Sequence, residues 1–165
     1  MGSECGHDHH LSGGLAEPEL ARALERTQAV LAERGERLTT SRRRVLELLL
    51  EAGRPIKAYD LIADFGGDGR AAKPPTVYRA LDFLERTGLV HRIASISAYV
   101  ACSHGDADHA AAFLICDCCG ETRELAPPQM GSLLNSAAHE GYRIGRIALE
   151  AHGLCRDCQA PAANA

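Results

Sequence analysis

Pro74-Pro75-Thr76-Val77-Tyr78-Arg79-Ala80-Leu81-Asp82-Phe83-Leu84 is the stretch on which the fold turns. At about 100° per residue, Val77, Ala80, Leu81 and Leu84 share one face of a helix, Arg79, Asp82 and Arg86 point the opposite way, and Tyr78 lies at the flank. The paired prolines suit a first turn, where the missing N–H groups cost nothing. Phe83 falls outside the apolar stripe, which assigns it to a neighbouring element or marks an imperfect helix phase.

Downstream, Gly88 ends the helix, and Leu89 to Ile93 and Ala98 to Ala101 read as two short strands joined by a Ser-containing turn. Upstream lie three further helical patterns. The first begins at Pro18, carries Leu20, Leu24 and Leu31 near one face and stops at Gly35. The second is capped by Thr40 or Ser41, filled by Val45, Leu46, Leu48, Leu49 and Leu50, and closed by Gly53 and Pro55. The third runs from about Ala58 to Phe65 with Leu61 and Ile62 inward. Helices followed by a two-stranded hairpin make a winged helix-turn-helix, whose last helix enters a DNA major groove.

Tyr78 and Arg79 then meet DNA, and Thr76 and Lys73 at the start of the same helix are placed with them. Arg42, Arg43 and Arg44 crowd the first turn of the second helix, where the positive end of the helix dipole disfavours cations. An anionic partner relieves that conflict, so Arg42 joins the DNA-binding candidates. Charge agrees: residues 34–93 carry 12 Lys/Arg against 8 Asp/Glu in a chain of net charge −4. A solvated amphipathic helix is the competing reading of the same pattern.

At 165 residues, 45% apolar and 24% charged, the chain is long enough for one core or two small ones. No stretch reaches the roughly 18 apolar residues of a membrane span, and Met1 to His10 lacks the apolar centre of a signal peptide. Gly6 occupies the place where a myristoylation signal has Ser or Thr. The expected location is the cytoplasm. Its reducing conditions favour metal ligation over disulfides for the seven cysteines.

Four of those cysteines form two Cys-x-x-Cys pairs, Cys116/Cys119 and Cys155/Cys158. A two-residue gap lets both sulfurs of a turn converge on one tetrahedral ion, so the four thiolates read as a structural zinc site. The competing reading is a disulfide or redox switch, and Cys118 is able to replace a neighbour as ligand. Around the pairs, Ala111 to Cys116 and Glu121 to Leu125 read as strands, Pro127-Pro128 starts a helix reaching about His139, and Tyr142 to Ala151 returns as a strand. The fold class is α+β: flexible tail 1–14, winged helix-turn-helix 15–101, hinge 102–110, small α/β dimerisation and zinc domain 111–158, tail 159–165. A unit that thin gains from metal and from a symmetric partner. Neither Cys-x-x-Cys is preceded by Pro and no nucleophile motif stands out, so the chain is read as a non-enzyme.

The run Ala72-Lys73-Pro74-Pro75-Thr76-Val77-Tyr78-Arg79-Ala80-Leu81-Asp82-Phe83-Leu84, then Gly88-Leu89-Val90-His91, Phe113-Leu114-Ile115-Cys116-Asp117-x-Cys119-Gly120 and Glu150-Ala151-His152-Gly153-Leu154-Cys155-x-x-Cys158, resembles the ferric uptake regulator family, and within it the bacterial zinc uptake regulators. The likeness extends from about residue 20 to 158. It implies a homodimeric, cytoplasmic repressor of zinc-uptake genes that binds palindromic double-stranded operator DNA, takes no small-molecule substrate other than zinc and touches no membrane. It also implies two Zn2+ per subunit, the second a regulatory ion held by His91, Cys102, His109 and Glu124, with His104 as competitor for His109 and Glu121 for Glu124. Two imidazoles, a thiolate and a carboxylate suit zinc, and the thiolate argues against iron or manganese. A sensor of iron or manganese, or a thiol redox-switch regulator on the same fold, is the alternative. Where many relatives have a histidine-rich run ahead of the first cysteine pair, this chain has Asp106-Ala107-Asp108-His109, which leaves a third metal site without support, and Cys118 has no assigned role.

Overall fold

A computed structural model of the chain describes residues 13–66, 73–102, 111–126, 129–144 and 147–159. Most of the expected tails and of the 102–110 hinge, His104 and His109 included, lie outside the described residues, as do Pro127 and Pro128. The chain forms two compact units, one within His10–Ala107 and the other within Asp108–Ala165.

The first unit contains α1 (Glu19–Glu33), α2 (Thr40–Ala52), β1 (Ile56–Lys57), α3 (Ala58–Asp64), α4 (Pro74–Arg86), β2 (Val90–Ile93) and β3 (Ala98–Ala101). Its core is drawn from one face of each helix: Leu20, Leu24 and Leu31 from α1, Val45, Leu46 and Leu49 from α2, Leu61 from α3, and Val77, Ala80, Leu81 and Leu84 from α4. Each buried Leu contributes roughly 1.5–3 kcal/mol, so the 3.6-residue periodicity of the leucines is what fixes the helix orientations. The antiparallel sheet has the order β1-β3-β2, with Val90 opposite Ala101 and Ile93 opposite Ala98. Gly53 ends α2 at φ 59° with its N–H on the Leu49 carbonyl, a left-handed turn that favours glycine.

Three details differ from the sequence expectation. Thr39, one residue ahead of the expected caps Thr40 and Ser41, is the N-cap of α2, in extended conformation and without a side-chain cap bond. The one-residue difference leaves the spacing of Val45, Leu46 and Leu49 unchanged, and all three are buried. Phe83 is buried, 3% exposed, and widens the α4 stripe. β1 is too short, at two residues, to carry an alternation signal; its pairing of Ile56 with Tyr99 makes it visible only in three dimensions.

The second unit contains β4 (Ala111–Cys116), β5 (Thr122–Leu125), α5 (Gly131–His139), β6 (Ala148–Gly153) and α6 (Arg156–Gln159). β4 is central: β5 pairs with it antiparallel and β6 parallel, in the order β5-β4-β6. Five of the six β4 residues are buried, as a middle strand requires, whereas α5 buries none of its residues and leaves Leu133 and Leu134 exposed. The helix is described only from Gly131, and the last strand begins at Ala148 rather than near Tyr142, because Gly141 at φ 79° turns the chain first. The short α6 has no counterpart among the elements expected from the sequence.

Candidate metal centres and DNA-reading helix

β4, the turn after it and the segment beyond β6 bring the two cysteine pairs together. The ligand atoms of Cys116, Cys119, Cys155 and Cys158 all lie within 4.8 Å of one another, and the Cys119 and Cys155 sulfurs are 3.8 Å apart. A tetrahedral ion bonded to four sulfurs at about 2.3 Å separates each sulfur pair by about 3.8 Å. A disulfide needs about 2.05 Å, and none of the six described cysteines is in one. Gly120, at φ 75°, completes the first turn by donating its N–H to the Cys116 carbonyl at 2.9 Å. The backbone N–H of Cys155 reaches the Cys116 sulfur at 3.3 Å.

The thiol acidities favour a cation at this centre. Burial pushes the Cys116 thiol up, but the N–H groups of Cys119, Cys155 and Cys118 directed at its sulfur together hold it at about 6. Burial pushes Cys119 up to about 11, with the adjacent Cys116 sulfur adding to the effect. Cys158 is raised as well, by burial and then by hydrogen bonding with neighbouring thiols, Cys155 foremost. A divalent cation bound by such a set replaces the thiol protons, which links metal binding to proton release. These residues fit a structural zinc ion.

The wing places two further candidates together. Leu89 and Cys102 extend the β2–β3 hairpin, the Cys102 N–H donating to the Leu89 carbonyl at 2.9 Å, while His91 pairs with Val100. Strand alternation therefore puts His91 and Cys102 diagonally on one face, with a ring nitrogen and the sulfur no more than 4.8 Å apart. His91 is buried and Cys102 half-buried. In the second unit, Glu124 is half-buried on β5 opposite Phe113, and its competitor Glu121 makes a 3.3 Å ion pair with Arg123. His109 falls outside the described residues.

On α4 the DNA candidates occupy the face turned away from the core. Lys73 is the N-cap, Tyr78 is 46% exposed, Arg79 is exposed and Thr76 is half-buried. Arg42 sits elsewhere, over the Phe83 ring, with Nη1 donating to the Arg37 carbonyl.

The model of the ferric uptake regulator family matches residues 33–152. The chain belongs to the ferric uptake regulator family. Among curated family members it is 39% identical to the zinc uptake regulation protein of Escherichia coli (strain K12), over 82% of this chain and 80% of that protein. It is 32% identical to the ferric uptake regulation protein of Neisseria meningitidis serogroup A, over 80% and 92%. Of solved structures, a zinc uptake regulator complexed with zinc and DNA matches at 37% identity and TM-score 0.79, over 87% of this chain and 97% of that one. Holo XcZur matches at 43% identity and TM-score 0.76, over 85% and 99%. In sequence the chain is thus more similar to the zinc uptake regulation protein than to the ferric uptake regulation protein.

The sequence sets His152 and Glu150 beside the second cysteine pair, as residues that shape the turn, and gives Asp117 no role. Asp117 Oδ1 and His152 Nδ1 are 2.9 Å apart, linking the first cysteine turn to the end of β6. Their meeting depends on the parallel β4–β6 register, which no local pattern announces.

Proposed function

We propose that this family member is a zinc-responsive, DNA-binding transcriptional repressor of zinc-uptake genes, not an enzyme, acting in the bacterial cytoplasm. The observation that carries the reading is the likeness, at TM-score 0.79 over 87% of the chain, to a zinc uptake regulator complexed with zinc and DNA. Zinc bound by Cys116, Cys119, Cys155 and Cys158 supplies a cross-link between two chain segments. A second, regulatory zinc, making two per subunit, is assigned to His91, Cys102, His109 and Glu124. The proximity of His91 and Cys102 on the wing supports that assignment.

The exposed Leu114, Leu125, Leu133 and Leu134 of the second unit support a homodimer, since a single copy leaves that apolar surface in water. A symmetric dimer carries two α4 helices and therefore suits a palindromic duplex. The second ligand set draws on residues from both sides of the 102–110 connector, so its filling is linked to the arrangement that binds DNA. By linkage, DNA then raises zinc affinity by the factor that zinc raises DNA affinity. A shift from 1:99 to 99:1 requires about 5.5 kcal/mol of differential binding. Sensing of iron or manganese, or of oxidant through thiols, is the alternative, and the Cys102 thiolate disfavours the first two.

Operator binding is titrated with buffered zinc, iron(II) and manganese(II), using promoter fragments of zinc-uptake genes, for the parent and Cys102→Ala. Zinc alone switches binding on in the parent and not in the variant. Equal binding by both proteins after chelation overturns the assignment.

A further inference from the structure

The ladder that aligns the two cysteine pairs stops short of the sulfurs. β4 and β6 run side by side up to Cys116 opposite Gly153, and one more backbone bond, from the Asp117 N–H to the Gly153 carbonyl at 2.7 Å, closes the fork. Beyond it the chain leaves the sheet through Leu154 and enters α6, which carries Cys158. At this fork the Asp117 carboxylate meets His152 Nδ1 at 2.9 Å. Asp117 follows the first ligand directly, and His152 stands three residues ahead of the third. The contact joins the Asp117 carboxylate as acceptor to Nδ1 of His152.

Resting on the reading of the four cysteines as a zinc centre, we infer that Asp117 and His152 are a positioning pair for it. They bracket the first cysteine turn to the end of β6, keeping the Cys155 N–H on the Cys116 sulfur and the Cys119 and Cys155 sulfurs at tetrahedral spacing. The two side chains are 58% and 37% exposed, so the contact between them adds little to folding. Its effect falls on metal retention. Removing a partner outside the ligand set costs about 10–100-fold in metal affinity, and a partner one residue removed from a ligand belongs at the lower end, about tenfold.

The test uses the full-length, zinc-loaded protein and a chromogenic zinc chelator, with cobalt(II)-for-zinc exchange reporting ligand geometry through the thiolate charge-transfer band. Asp117→Ala and His152→Ala release zinc from the cysteine centre about tenfold faster and shift the cobalt band, with parental circular dichroism. His152→Asn, whose amide nitrogen replaces Nδ1, keeps the parental rate, whereas His152→Gln, whose amide sits where Nε2 was, behaves like His152→Ala. Parental release by both alanine variants overturns the inference, as does an Asn variant as fast as the Ala variant. A parent in which no zinc is held by the four cysteines overturns the zinc reading itself, a result visible before any variant is compared.

Discussion

The guanidinium carbon of Arg42 lies 3.3 Å from the centre of the Phe83 ring, joining the start of α2 to the last turns of α4. Arg86 approaches the same ring at 5.6 Å and reaches Glu36 at 3.5 Å. A flat cation over an aromatic face contributes about 0.5–2 kcal/mol, more where water is excluded. Phe83 thus stands outside the four-residue apolar stripe and yet is buried: one side of its ring packs in the core and a cation covers another.

Phe83→Ala is expected to destabilise the winged unit by about 3–5 kcal/mol through the cavity it leaves. A double-mutant cycle of Arg42→Ala with Phe83→Leu separates packing from the cation contact. Urea midpoints of the four proteins are expected to give a coupling of about 0.5–2 kcal/mol. Additive losses assign Arg42 no energetic tie to the ring.

The cysteine centre was legible because a Cys-x-x-Cys turn needs only local geometry, and two such pairs leave few other arrangements. The helices of the first unit were legible because Leu20, Leu24 and Leu31, or Val77, Ala80, Leu81 and Leu84, repeat at helical spacing. What escaped was long-range. Asp117 and His152 are 35 residues apart and meet only through parallel strand pairing. Arg42 read as a cation awaiting an anion because its partner, Phe83, is 41 positions along the chain and belongs to another helix.

Metal removal is expected to act unevenly. The first unit has its own buried core, whereas α5 and β6 bury no residue, so the second unit depends on its centre. Hydrogen exchange after chelation, or in Cys155→Ser, is expected to accelerate across β4, β6 and α6, with the Cys155 amide among the fastest, while α2 and α4 remain protected. Uniform acceleration in both units contradicts this.

Alkaline pH probes the wing through Tyr99. Burial raises its phenol above the ordinary value, and the opposing pull of Arg92 is smaller. A group raised on folding contributes stability that is fully present below its unfolded pKa, about 10, and is lost as pH rises through the folded value. The parent is therefore expected to lose stability relative to Tyr99→Phe as pH climbs past about 10. Denaturation midpoints of both proteins between pH 8 and 11 check this; parallel curves place the phenol in water.

The exposed face of α4 separates two kinds of DNA contact by residue type. Arg79 carries a planar fork suited to guanine, and it projects from the helix face opposite Val77, Ala80 and Leu84. Lys73, at the N-cap, is a compact charge better matched to phosphate. Arg79→Ala is expected to cost about 1–3 kcal/mol on operator DNA and much less on unrelated duplex, relaxing the preference at one base position. Lys73→Ala is expected to weaken both alike and to lower the salt dependence by about one ion. Anisotropy titrations of both variants at saturating zinc, on specific and scrambled duplexes across a salt series, make the comparison. An Arg79→Ala loss that is equal on the two duplexes turns Arg79 into a backbone contact and leaves base reading to the neighbouring Tyr78 and Thr76.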